Sequence, residues 1–126
     1  MEGLINSGTN RLGREGSHLE KKALAYSKVV KEFIKLCSNE LTNMEVKRQL
    51  LRAVFSIGAH YIGANESLNK KDFLMKVKIA KKEAKESIYW FELLECQKGL
   101  EAVKFKLMAE TVELMKMLGS VYQDSK

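Results

Sequence analysis

Apolar and small residues recur at alternating steps of four and three through residues 69–96, which is the spacing of one face of an α-helix. Three other segments repeat this spacing, and the sequence contains no proline to interrupt it. The four stripes are Phe73, Val77, Ala80, Ala84, Ser87, Phe91 and Leu94; Leu19, Ala23, Tyr26, Val30, Phe33 and Cys37; Leu50, Val54, Ile57, Tyr61 and Ala64; and Leu100, Val103, Leu107, Thr111, Leu114, Leu118 and Val121. Four such helices with short links predict an all-α, antiparallel up-and-down four-helix bundle.

Two of the helix starts carry capping signals. Asn69 is placed to cap the third helix, and Thr42 with Glu45 has the spacing of a capping box for the second. Each start also has the spacing of a hydrophobic staple, the pairs being Leu68 with Phe73 and Leu41 with Val46. We expect these signals to fix where the two helices begin.

The N-terminal segment differs from the rest of the chain. Residues 1–17 contain four glycines and no helical stripe, so they lack the apolar area that would offset the entropy of ordering them. We predict a flexible tail at residues 1–18 and a single four-helix domain at residues 19–126.

Length and cysteine usage indicate the class of protein. A chain of 126 residues with 45% hydrophobic residues can bury one core without a metal or disulfide scaffold. Cys37 and Cys96 fall in separate helical patterns, which favours a reducing compartment. The sequence has neither the pattern of a secretory signal nor an apolar run of about 18 residues. We therefore expect a cytoplasmic protein that does not associate with membranes.

The sequence shows no recognisable catalytic motif. It lacks a glycine-rich phosphate loop after a strand, a CxxC pair, a nucleophile elbow and an HExxH zinc motif. His60 is interpreted as a hydrogen-bonded side chain on a helix. Glu83 and Glu86 lack the Glu-x-x-His partners of di-iron bundles. We expect no enzymatic activity, no metal and no other cofactor.

Lysine provides the one functional signal in the charge pattern. The formal charge is +6, and lysines of the third helix recur at steps of seven, four and three on the side away from the apolar stripe. Ammonium groups in such a row can bind phosphates by counterion release without reading bases. A solvated face partly neutralised by Glu83 and Glu86 explains the same pattern. The candidate nucleic-acid-binding residues are Lys71, Lys76, Lys78, Lys81, Lys82 and Lys85, together with Lys47, Arg48 and Arg52 of the second helix.

Some apolar residues lie beside the four stripes and predict a self-association surface, because a soluble monomer seldom exposes a large apolar patch. Gly58 and Gly63 lie inside the second helix, where each costs about 1 kcal/mol relative to alanine. Either a neighbouring helix approaches closely there or the helix bends, and close packing is favoured. The candidate interface residues are Phe55, Gly58, Ala59, Ile62, Gly63 and Trp90.

Two motifs carry a family resemblance. Residues 52–59 read RAVFSIGA, which is similar to Arg-x-x-x-Ser-Ile-x-Ala, and residues 82–90 read KEAKESIYW, whose charges and aromatics helical periodicity does not require. Glu113-Leu114 is a weaker third match. These motifs resemble the bacterial four-helix bundle protein family, also named for proteins encoded in intervening sequences of 23S rRNA genes. Where the family commonly has Asn-Ile-x-Glu-Gly, residues 60–64 of this chain read HYIGA.

The resemblance implies a left-handed bundle that assembles as a ring-like homopentamer. Related proteins include the accessory variability protein of diversity-generating retroelements, a basic pentamer that associates with a reverse transcriptase and nucleic acid. With the lysine pattern, this predicts a non-enzymatic accessory or scaffold protein that binds RNA or DNA and partners a reverse transcriptase. The alternative is a protein-interaction scaffold of the 23S rRNA intervening-sequence type with no direct nucleic-acid role.

Overall fold

The computed structural model describes residues 10–126, with side chains described from His18 onward. Four helices follow one another in the described residues: α1 (Asn10–Ile34), α2 (Leu41–Asn65), α3 (Lys70–Leu93) and α4 (Glu101–Ser125). The same residues contain no strand. Each helix has 24 or 25 residues, which corresponds to about 36 Å of helix. The links between them are short, so successive helices run antiparallel. The predicted all-α four-helix bundle is confirmed.

Helix α1 begins earlier than the sequence predicted. Its first residue is Asn10, whereas the apolar stripe placed the start at Leu19. Once a helix is nucleated, each added residue closes a further hydrogen bond, so a helix can extend past its apolar stripe. The predicted flexibility of residues 1–18 stays a prediction, and residues 1–9 lie outside the described residues.

The four stripes meet in one core. Phe91 is fully buried and Leu114 is 1% exposed, as their stripes predicted. Phe73, Leu100 and Val121 are half-buried and pack against this core. The prediction for Val103 was wrong, because its side chain is 39% exposed. It lies in the first turn of α4, at the end of the bundle, where fewer neighbours cover a side chain.

One of the two predicted helix starts is confirmed. The Asn69 side chain accepts a hydrogen bond of 2.8 Å from the backbone N–H of Asp72, which satisfies one of the free amides of α3. The capping box was wrong, because α2 begins at Leu41 and its N-cap residue, Glu40, makes no side-chain capping bond. Both staples were also wrong, since Leu41 is 87% and Leu68 is 99% exposed.

Asn43, the residue that follows Thr42, makes long-range bonds instead of taking part in a capping box. Asn43 is buried and points inward, where its amide donates to the carbonyl oxygens of Ser38 at 2.8 Å and Glu95 at 3.0 Å. Its side-chain oxygen accepts from the Glu95 N–H at 2.8 Å. Asn43 therefore ties the α1–α2 link (residues 35–40) to the α3–α4 link (residues 94–100).

Two lysines, Lys47 and Lys104, complete this cluster. We name the cluster the loop junction, and it consists of the two links together with Asn43, Lys47 and Lys104. Lys47 is 9% exposed, and its ammonium donates to the Cys37 carbonyl at 3.0 Å and to the Asn39 side chain at 2.8 Å. Lys104 donates to the Leu94 carbonyl at 2.8 Å. Both lysines thus bind carbonyl groups that the end of a helix leaves free.

A pair of hydroxyl groups lies in the core between α1 and α4. The Tyr26 hydroxyl donates to the Thr111 hydroxyl, which in turn donates to the Leu107 carbonyl at 2.7 Å. Burial raises the pKa of Tyr26. The pair satisfies two polar groups that would otherwise be buried at a cost.

Candidate nucleic-acid interface

Four lysines of α3 form an exposed row. Lys71, Lys78, Lys82 and Lys85 are all exposed, and their positions fall within about 60° around the helix axis. We name these four residues the lysine row. The 14 steps from Lys71 to Lys85 correspond to about 21 Å along the helix. Because Asn69 caps α3 just before the row begins, the row lies on a well-defined helix.

Few carboxylates neutralise this row. The Lys82 ammonium lies 4.0 Å from the Glu86 carboxylate, the outer limit of an ion pair. Among the described residues, no carboxylate pairs with Lys71, Lys78 or Lys85. The row therefore presents ammonium groups to solvent.

The two flanking lysines of α3 lie closer to other side chains. Lys76 pairs with Asp72 at 3.1 Å, and this bond holds the pKa of Asp72 below its usual range. The Lys81 ammonium lies beside Gly119 of α4, 3.6 Å from the position that a Cβ would take there. Both lysines border the row, and Lys76 is partly neutralised.

The three α2 candidates lie in two different environments. Lys47 belongs to the loop junction, so its ammonium group is bound within the chain. Arg48 is exposed and pairs with Glu45, and Arg52 is exposed and donates to Gln49 at 3.3 Å. The structure therefore leaves two of the three α2 candidates on the surface.

The sequence pattern indicated that Glu83 partly neutralises the lysines on a solvated face. The structure instead places Glu83 in a buried position. It is 9% exposed, and its Oε1 atom has no hydrogen-bond partner in the described part of the chain. Burial, together with the neighbouring Glu86 carboxyl, raises the pKa of Glu83, while Arg52 and His60 act in the opposite direction. Sequence reasoning missed this buried carboxyl because lysines surround it in the chain.

His60, a residue of α2, lies near the Glu83 carboxyl of α3. Its Nδ1 atom donates to the Ser56 carbonyl at 3.0 Å, which confirms the interpretation of a hydrogen-bonded side chain on a helix. Within the described residues, no three His, Cys, Asp or Glu side chains come together in a way that could hold a metal ion.

A groove lies between α3 and α4 at the end of the lysine row. Its volume is about 490 Å³, and it is lined by Lys82, Lys85, Glu86, Ile88, Tyr89, Glu92 and Met115. Tyr89 is 58% exposed. Sequence reasoning missed the groove, although Tyr89 follows Lys85 by four residues and so shares its helix face. What the sequence does not show is that Met115 of α4 forms the opposite side.

The candidate interface residues divide into two groups. Phe55, Ala59 and Ile62 lie together on the exposed face of α2, where Phe55 is 42% and Ile62 is 50% exposed. The two glycines instead face neighbouring helices. A Cβ at Gly58 would lie 3.5 Å from Ala23 of α1, and one at Gly63 would lie 3.8 Å from the Lys76 side chain. Both distances are ordinary van der Waals contacts, so a methyl group would fit at either glycine, and the predicted close packing stays a prediction.

Trp90 lies apart from the exposed face of α2. It is half-buried on α3, where it packs against the core, and its ring meets the Tyr89 ring edge to face, with centroids 5.0 Å apart. It therefore belongs to the surroundings of the groove.

None of the described helices is long and apolar enough to cross a membrane.

Comparisons with known proteins agree with the fold and the motifs. A family model described as 23S rRNA-intervening sequence protein matches residues 17–120, which reach into all four helices. A crystal structure of a protein with unknown function from the S23 ribosomal protein family of Bacteroides thetaiotaomicron is similar, with 27% identity and a TM-score of 0.72. The match covers 86% of this chain and 97% of that one. No curated protein matches the chain. The chain belongs to the 23S rRNA-intervening sequence protein family.

Proposed function

We propose that this protein is a non-enzymatic accessory or scaffold protein that binds RNA or DNA along the lysine row. The observation that carries the proposal is the exposure of four lysines on one helix face, where the described residues place one carboxylate, that of Glu86, at the limit of pairing distance. Ammonium groups without acidic partners release counterions from a phosphate backbone when they bind it.

The type of side chain determines what the row can recognise. Lysine is a compact point charge on a flexible stem, so it positions a phosphate without the bidentate base contacts that arginine makes. Four phosphate contacts per chain correspond to a slope of log K against log salt of about −3 to −4. We therefore expect binding that depends strongly on salt and weakly on base sequence.

Self-association would multiply these contacts. The exposed apolar group of Phe55, Ala59 and Ile62 supports an interface between copies of the chain. The family resemblance favours a ring-like homopentamer, and a reverse transcriptase as a partner rests on that resemblance alone. In a ring, five lysine rows would bind one polyanion with avidity that a single row lacks.

A protein-interaction scaffold is the second candidate function. The exposed Phe55 and Ile62 favour it, because the same face of α2 could bind a different protein. In that case the lysine row would serve only to keep the bundle solvated.

Charge reversal of the row tests the first proposal. We expect the variant Lys78→Glu, Lys82→Glu, Lys85→Glu to lose binding to fluorescein-labelled RNA and DNA in fluorescence anisotropy titrations. The wild-type protein should lose affinity steeply between about 50 and 200 mM salt.

The matched control places the same charge change on α1. Lys21, Lys28 and Lys31 are also exposed, so their reversal to glutamate alters net charge equally and should leave much of the binding. Equal binding by wild-type protein and a folded row variant would contradict the proposal. Absence of binding by the wild type would favour the scaffold.

The oligomeric state is tested by light scattering after size exclusion. We expect a mass of about five chains for the wild type and a smaller mass for Phe55→Ser, Ile62→Ser. Phe105, which is 62% exposed on α4, provides the control as Phe105→Ser. A wild-type monomer would contradict the assembly without bearing on the lysine row.

A further inference from the structure

We infer that the groove beside Tyr89 binds one unstacked base of a single-stranded nucleic acid, while Lys85 and Lys82 hold the adjoining phosphates. This inference rests on the proposed function and specifies which form of nucleic acid the row takes. It follows from the position of Tyr89, from the lining of the groove and from the distribution of charge around it.

Tyr89 continues the lysine row with an aromatic ring. It lies one helical turn after Lys85, which places it about 6 Å further along the helix on the same face. The ring is 58% exposed, while Trp90 holds it through an edge contact at 5.0 Å and an interplanar angle of 75°. An exposed aromatic ring held beside ammonium groups has the two parts of a single-strand site, a stacking platform and phosphate contacts.

The groove has room for a base and a suitable lining. Its volume of about 490 Å³ lies within the range of small-molecule sites. Ile88 and Met115 are half-buried and form an apolar bed beside the Tyr89 ring. Methionine adapts to the shape of an aromatic partner. A base could therefore lie with one face against these side chains.

Charge separates the part of the groove that suits a base from the part that suits phosphate. Glu86 and Glu92 line the groove beside Lys82 and Lys85, so the groove itself is nearly neutral. Carboxylates repel phosphate but accept hydrogen bonds from the N–H groups of unpaired bases, including the N3–H group of thymine. The backbone would therefore follow the row away from the groove, towards Lys78, whose ammonium pairs with no carboxylate among the described residues.

A duplex cannot use this groove in the same way. Its bases are paired and stacked inside the helix, so reaching Tyr89 would require a base to be flipped out at a cost in free energy. The lysine row can contact the backbone of either form, whereas the groove adds affinity for single strands alone.

Removal of the aromatic ring tests the inference. With the full chain, we expect Tyr89→Ala to weaken binding of a labelled oligothymidine strand about tenfold and to leave binding of a duplex of equal length within about twofold. Tyr89→Phe should bind as the wild type does, because it keeps the ring. Tyr89→Leu keeps apolar bulk without an aromatic face and should behave as Tyr89→Ala.

Two further measurements sharpen the test. Phe105→Ala removes an equally exposed aromatic ring from α4 and should change neither affinity. Trp90 is the only tryptophan of the chain and contacts Tyr89, so a base in the groove should change its fluorescence. We expect that change with oligothymidine and not with the duplex.

The outcomes separate this inference from the proposed function. If Tyr89→Ala binds both forms as the wild type does, or weakens both equally, the inference is overturned, while loss of binding by the lysine-row variant would still support the proposed function. A Tyr89→Ala variant with an altered mass in solution and unchanged affinities would assign Tyr89 to contacts between copies and overturn the inference. If the wild type binds neither form, both fail.

Discussion

Lysines of the loop junction and lysines of the row lie in opposite environments of the same bundle. Lys47 is 9% exposed and its ammonium binds a backbone carbonyl and an amide oxygen at 3.0 and 2.8 Å. The Lys82 side chain is 72% exposed and reaches a carboxylate only at 4.0 Å. Each of the two lysines is followed or preceded by another basic residue and has a glutamate within two positions, so local composition does not distinguish them.

Their positions relative to helix ends explain the difference. The Cys37 carbonyl follows the last turn of α1, where free carbonyl oxygens and the negative end of the helix dipole favour a cation. Lys104 meets the same conditions at the end of α3, where it binds the Leu94 carbonyl. Lys78 and Lys82 of the row lie in the interior of α3, where the backbone carbonyls are already bonded. Lys47 is therefore buried because it reaches free carbonyls at the end of a neighbouring helix, whereas Lys82 reaches none.

The largest effect is expected at Asn43 of the loop junction. Asn43→Ala should lower the free energy of unfolding by about 3 kcal/mol, because it leaves buried backbone groups of both links without partners. Urea denaturation measures this change. Thr42→Ala alters the exposed neighbour and should have little effect. Equal stability of the two variants would show that the links hold without the junction.

Lys47 should have the next largest effect. Lys47→Met keeps an unbranched apolar stem but leaves the Cys37 carbonyl without its donor, so we expect a loss of about 2 kcal/mol. Lys78→Met is the matched substitution in the row and should change stability by about 0.5 kcal/mol or less. Similar losses for both variants, measured by denaturation, would abolish the contrast between the two environments.

Glu83 is a third case, buried but without a partner for one oxygen among the described residues. Its pKa in the folded protein is raised above 4.5, so stability is fully present below the unfolded pKa and falls as pH rises through the folded pKa. Glu83→Gln should remove this fall, so its advantage over the wild type should grow with pH. Denaturation midpoints measured from about pH 4 to about pH 8 test this, with Glu92→Gln as an exposed control. A constant difference would contradict it.

The smallest effect on stability is expected for charge reversal of the lysine row. Lys78→Glu, Lys82→Glu, Lys85→Glu should unfold within about 1 kcal/mol of the wild type, since exposed substitutions cost little and the new repulsion with Glu86 is weak. Thermal unfolding at two salt concentrations measures it. A cooperative loss of structure would place the row among the residues that maintain the bundle.

The sequence predicted the core well because burial repeats with the period of the helix. The residues of the α1 and α2 stripes are all buried, as the spacing of four and three required. It also predicted the Asn69 cap, which depends on neighbours three residues away. Both successes rest on contacts that are local or periodic.

The remaining features depend on contacts between distant parts of the chain. Asn43 was assigned to a capping box, yet it bonds to Glu95, which lies 52 residues away. Glu83 and Lys47 were assigned to the surface, because nothing nearby in the sequence shows that another helix covers them. The groove beside Tyr89 needs Met115 of α4, and its existence follows from how two helices pack rather than from a motif.

The hydroxyl pair between Tyr26 and Thr111 has a consequence for how the chain pairs its first and last helices. Among the pairs of helices that touch in the described residues, α1 and α4 have the least contact with each other. Apolar packing alone would therefore permit one to slide along the other. A shift of one turn, about 5.4 Å, would separate the two hydroxyls. Thr111 would keep its bond to the Leu107 carbonyl, whereas the buried Tyr26 hydroxyl would lose its partner at a cost of about 1 to 3 kcal/mol. The hydroxyl pair, together with the ion pair between Lys22 and Glu113 at 3.0 Å, thus favours one register over others that apolar packing would accept.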